Sequence, residues 1–63
     1  MNIDEWLEAV SVHDPGSWEN EDGPAGWYAV SVDHEGGIVA YFRDEADAFR
    51  WRLDYINRQL NPW

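Results

Sequence analysis

The sequence predicts an α+β fold: an antiparallel β-hairpin, completed by a third strand, packed against one long C-terminal helix and preceded by a short helical segment. Three observations carry this reading. Ala46, Phe49, Leu53, Ile56 and Leu60 recur at spacings of three and four, which puts them on one helical face. Trp27–Val32 and Ile38–Phe42 flank Asp33-His34-Glu35-Gly36-Gly37, the pattern of strand, tight turn and return strand. Two strands alone are unstable in water, so a third strand, the N-terminal segment or a second subunit has to complete the sheet.

The N-terminal segment comes first. Asn2 is placed to cap a helix, with Glu5 three residues on as its capping-box partner. Ile3, Trp6, Leu7 and Val10 then share one face and Asp4, Glu5 and Glu8 the other. The run Ala9-Val10-Ser11-Val12 returns as Ala29-Val30-Ser31-Val32. If the repeat is more than coincidence, Ala9 to Val12 is a strand like its copy; otherwise it ends the N-terminal helix. A helical turn or two from Asn2 followed by a short strand around Ala9 to His13 reconciles the two.

His13 to Gly26 reads as a loop, with Asp14-Pro15-Gly16 and Gly23-Pro24 as turn signals. It sets Trp18 among Glu19, Glu21 and Asp22. Loops of this length in small domains are often functional. In the hairpin, Tyr28, Val30 and Val32 are expected on one face, with Ile38, Ala40 and Phe42 on one face of the return strand.

The long helix runs from Asp44, a good N-cap, to Leu60. Glu45 and Asp47 suit the positive end of its dipole, and Asn61-Pro62 ends it. Its Phe49, Leu53 and Ile56 are expected to cover the hairpin. Trp51 and Tyr55 lie about 160–180° from the Leu53 direction at helical pitch. Two readings follow for them: cover by Trp63 or the N-terminal segment, or an exposed partner or dimer surface, where Trp and Tyr are favoured.

A chain of 63 residues makes one domain, 1–63, with a small core that needs a staple. Without cysteine there is neither a disulfide nor a thiolate zinc site. Five Trp, three Tyr and two Phe supply the alternative, since aromatics bury the most area per residue. No apolar run approaches the ~20 residues of a membrane span, and the acidic N-terminus is unlike a signal peptide. A cytoplasmic setting is expected.

Charge divides the chain. Arg43, Arg50, Arg52 and Arg58 are its only Lys or Arg residues, and Asp44, Glu45, Asp47 and Asp54 balance them. The net charge of −9 therefore belongs to residues 1–42, with Asp4, Glu5, Glu8, Asp14, Glu19, Glu21, Asp22, Asp33 and Glu35. Direct binding to nucleic acid is disfavoured, because phosphate contacts need cations. An anionic membrane is disfavoured for the same reason. A basic protein surface is favoured.

Catalytic signals are weak. No serine sits in a nucleophile elbow or a Ser-His-acid arrangement. His13-Asp14 and His34-Glu35 have no third histidine to complete a metal site. No catalytic residue, metal or cofactor is expected. The functional expectation is a non-catalytic binding protein, an inhibitor or adaptor that engages a basic surface of a nucleic-acid-handling protein. Asp4, Glu5, Glu8, Glu19, Glu21 and Asp22 would supply charge, and Trp18, Trp51 and Tyr55 would anchor. In size, acidity and lack of cysteine the chain resembles small phage inhibitors, anti-CRISPR proteins among them, without sharing a motif. That resemblance implies a nucleic-acid mimic. The alternative is a homodimer joined through Trp51, Tyr55 and the sheet edge, with acidity serving solubility alone.

Overall fold

The computed structural model describes residues 1–61. Its elements are α1 (Ile3–Ala9), β1 (Val10–His13), β2 (Tyr28–Val32), β3 (Gly37–Phe42) and α2 (Glu45–Leu60). The strands form one antiparallel sheet in the order β1-β2-β3. This is the expected α+β architecture. Among the described residues no helix is long and apolar enough to cross a membrane.

α1 begins where the sequence places it. The Asn2 side chain accepts the Glu5 amide at 3.0 Å, and Asp4 and Glu5 sit in the first turn, favourable at a helix N-terminus. The helix runs directly into β1. The repeated tetrapeptide explains the next pairing. Val10, Ser11 and Val12 face Val32, Ser31 and Val30, so the two copies pair with each other about Ser11 and Ser31. Valine suits both strands, because its branched side chain packs well on a half-buried pleat.

β2 and β3 are joined by a 3₁₀ turn at Asp33–Glu35 and by Gly36 at φ 88°, a conformation glycine reaches without strain. The register shifts between Val30 and Ser31: Val30 faces Ala40, but Ser31 faces Ile38. One extra residue on β3, Val39, thus forms a bulge. Ile38 is thereby separated from the Ala40–Phe42 face it was expected to share.

The larger correction concerns α2. Phe49 and Leu53 do not cover the hairpin; they are 44% and 61% exposed. Ile56 of the expected stripe is buried, with Ala48, in a core with Val10, Val30 and Val32, and Trp51, Tyr55 and Leu60 pack against it. The helix is turned so that Trp51 and Tyr55, read either as covered within the chain or as a partner surface, pack on the core of their own chain, with Trp6 of the N-terminal segment against Tyr55. The physical reason is area. At ~25 cal/mol per Å² of apolar surface buried, rings that cover about 150–250 Å² each contribute more than the aliphatic residues on the other stripe. Whether Trp63 adds cover lies outside the described residues.

The rings form a continuous seam. Trp51 stacks on Tyr55 at 5.3 Å, Phe42 lies 6.4 Å from Trp51, and Trp6 meets Tyr55 edge-on at 6.0 Å. Trp6 in turn lies 5.2 Å from His34. Arg52, on the same side of α2, fixes the rotation. Its guanidinium donates to the carbonyls of Val10 at 2.8 Å and Leu7 at 2.7 Å, tying α2 to the α1–β1 junction. Asp44 takes the N-cap position, but its side chain makes no capping hydrogen bond.

Two substitutions separate the two seatings of the helix. Trp51→Ala should cost about 2–3 kcal/mol, less than a fully buried Trp because the ring is half-buried. Leu53→Ser should stay within about 0.5 kcal/mol. Urea unfolding followed by far-UV circular dichroism reads both, and the reverse order would show that the aliphatic face is the seated one.

Candidate functional site

The loop between β1 and β2 is built from consecutive tight turns. Ser17 N donates to Asp14 O, Asn20 N to Ser17 O, Gly23 N to Asn20 O and Trp27 N to Pro24 O, at 3.0–3.2 Å. Pro and Gly preset the backbone angles of the turns at Asp14–Ser17 and Pro24–Trp27, and Gly23 closes the turn that begins at Asn20. At the centre stands a 3₁₀ turn, Trp18–Asn20.

Asn20 is the brace. Only 4% exposed, its Nδ2 donates to the carbonyls of Trp27 at 2.7 Å and Asp14 at 3.3 Å, closing the loop on itself. Gly23 lies against it so closely that a Cβ there would collide with Asn20 Oδ1 and the Tyr41 ring. Tyr41 alternates with Phe42 along β3, so this contact folds the loop over the sheet face away from α2. At the loop's far end the Arg43 guanidinium lies 5.3 Å from the Trp27 ring centroid, a cation–π contact.

Trp18 takes no part in this packing. It is 78% exposed, the most exposed large apolar side chain among the described residues, on a turn whose backbone is hydrogen-bonded. Its neighbours Glu19, Glu21 and Asp22 are exposed too. The loop therefore presents one large ring among free carboxylates on a held backbone.

The other expected site residues do not join it. Asp4, Glu5 and Glu8 are exposed on α1. The Trp6–His34 contact places that helix beside the β2–β3 turn, with Asp33 and Glu35. The β1–β2 loop leaves the opposite end of the sheet. The acids thus form two groups rather than one continuous field, and Trp51 and Tyr55 belong to neither.

The histidines are separated in the same way. His13 ends β1, and its Nε2 lies 2.8 Å from the Ser31 hydroxyl; His34 is in the β2–β3 turn. Among the described residues no group of three or more His, Asp and Glu is placed to hold a metal. The His13–Ser31 pair lacks a carboxylate partner on the ring among the described hydrogen bonds. Its hydroxyl belongs to a residue only 8% exposed, which suits a satisfied cross-strand hydrogen bond better than a nucleophile.

Tyr55 stands apart electrostatically. Burial, the nearby Glu35 charge and a hydrogen bond to Glu35 all push its hydroxyl above the usual tyrosine range. Each of these disfavours the phenolate. Sequence reasoning found Trp18 and its acids by their clustering, but missed Asn20 and Arg52. Their roles depend on carbonyls 6–7 and 42–45 residues away, which no local pattern marks.

The chain matches no protein-family model, and no curated protein and no solved structure is significantly similar to it.

Asn20→Ala should lower stability by about 1–3 kcal/mol, because two carbonyls lose their donor. Gly23→Ala should cost a similar amount through overpacking. Thermal melts measure both, and unchanged midpoints would mean that the loop is not braced. Raised pKa makes Tyr55 a stabilising group below the unfolded tyrosine value of about 10. That contribution falls as pH climbs from there through the folded value. In a tyrosinate absorbance titration Tyr55 should ionise late, and Glu35→Gln should bring it earlier.

Proposed function

We propose that this protein is a non-catalytic binder that docks its β1–β2 loop onto a basic groove of a nucleic-acid-handling protein. The observation that carries the reading is Trp18, 78% exposed on a braced turn among free carboxylates. Grooves that hold single-stranded nucleic acid combine cations along the backbone track with aromatic platforms for the bases. Trp18 with Glu19, Glu21 and Asp22 is the complement of that arrangement, with the indole in place of a base and carboxylates in place of phosphates.

Trp18 stands with three exposed carboxylates on one turn, a single exposed ring beside charge, which matches the unstacked base and phosphates of a single strand rather than a duplex. The held turn also lowers the ordering cost of binding. Asp4, Glu5 and Glu8, at the other acidic group, would assist capture through the long-range field rather than by contact. The protein would act in the cytoplasm, and an inhibitor of the phage anti-CRISPR type is the concrete form. The homodimer alternative loses the anchors first assigned to it, since Trp51 and Tyr55 are engaged within one chain.

The test is capture on immobilised protein. Nucleic-acid-binding proteins should be retained at about 50 mM salt and largely released by about 200 mM, and single-stranded DNA should displace them. Trp18→Ala should weaken binding by about 2 kcal/mol, as for an interface anchor. Neutralising Glu19, Glu21 and Asp22 together should flatten the salt dependence. Retention indifferent to both sets of changes would end the proposal.

A further inference from the structure

The seating of α2 on its aromatic face leaves its aliphatic stripe beside α1. Leu7, Phe49, Arg52, Leu53 and Ile56 line a cleft of about 230 Å³. Ile3, one turn before Leu7, is exposed as well and extends the apolar wall of α1. We propose that this cleft is a docking groove for a cationic amphipathic helix of another protein.

Size sets the kind of occupant. Small-molecule pockets hold about 300–1,000 Å³ and enclose their ligand. This cleft is smaller and lies between Leu7 of α1 and Phe49 and Leu53 of α2, with room for one or two apolar side chains of a partner. Two helices walling an apolar trough is the geometry in which a third helix lays its i, i+3, i+4 face. Floor and walls are already fixed without it, because Arg52 binds the Leu7 and Val10 carbonyls and lies 6.0 Å from the Phe49 ring centroid.

Charge decides between a second copy and a different protein. At helical pitch Asp4 and Glu8 follow Ile3 and Leu7 around α1 and rim the groove on that side. Both are exposed. Arg52 keeps its positive charge in the lining, but its donors are turned onto the Val10 and Leu7 carbonyls, and the two rim carboxylates outnumber it. A second copy would bring another net −9 to this rim, and net charge this far from zero keeps proteins apart. Lysine or arginine beside the apolar stripe of an incoming helix would instead meet Asp4 and Glu8.

A labelled synthetic helix of leucine and lysine, with the leucines on one face, tests this by fluorescence anisotropy at about 150 mM salt, where long-range attraction is screened. The wild-type chain should bind it. Leu53→Asp should weaken binding at least tenfold, and Phe49→Ser similarly. Asp4→Asn with Glu8→Gln should weaken it severalfold, and Trp18→Ala should leave it unchanged. Leu53→Asp adds a negative charge, so attraction to overall acidity alone would make binding equal or tighter, and that result overturns the proposal. So does loss of binding in Trp18→Ala, which would place the peptide on the loop. Sedimentation showing a dimer that Leu53→Asp dissociates would assign the groove to a second copy and overturn it as well. Unchanged melting of the exposed-site variants confirms that each readout comes from a folded chain.

Discussion

One helix with apolar residues around much of its girth faces one small sheet, and Phe49 and Leu53 compete with Trp51 and Tyr55 for that sheet. That competition governs the molecule. The stripe with Ala48, Trp51, Tyr55 and Ile56 is seated, because the rings cover more of the sheet than Phe49 and Leu53 could. Ala48 and the valines leave room between them for the indole and phenol. In a chain with no cysteine, the seam from Phe42 through Trp51, Tyr55 and Trp6 to His34 replaces the disulfide or metal that many small domains need. Arg52 then holds the rotation by bonding carbonyls at the α1–β1 junction.

The surfaces left over follow from that choice. The aliphatic stripe becomes one wall of a cleft whose other wall is α1. On the opposite side of the sheet the β1–β2 loop is closed by Asn20 and presents Trp18. The two features are independent in space and in chemistry: one is an apolar trough, the other a ring amid charge. Neither surface is part of the core, since the seam touches neither Trp18 nor Leu53.

Much of this was legible in the residues. Alternation marked the hairpin, Asn2 marked the start of α1, and the repeat of Ala9–Val12 at Ala29–Val32 pointed to a short strand there, though not to its pairing with its own copy. The facing of α2 was not legible, because periodicity locates stripes but does not rank them. Ranking needs the area each stripe covers against a particular sheet. The displacement of Ile38 escaped for a related reason, since a bulge at Val39 is set by the pairing of two strands and not by either alone. Linear charge counting likewise suggested one continuous field, whereas α1 and the β1–β2 loop carry their acids to opposite ends of the sheet. The Trp18 cluster was visible because its parts are adjacent in sequence; the brace beneath it was not, because Asn20 acts on the carbonyls of Asp14 and Trp27.

The most direct measurement of the central claim is a nuclear Overhauser spectrum of the chain with its valine, leucine and isoleucine methyls labelled. The Trp51 and Tyr55 ring protons should show cross-peaks to valine methyls of β1 and β2, while the Leu53 methyls show none to those valines. Cross-peaks from Leu53 and Phe49 to the same valines, with Trp51 lacking them, would mean that the helix is seated on its other face, and the cleft beside α1 would not exist.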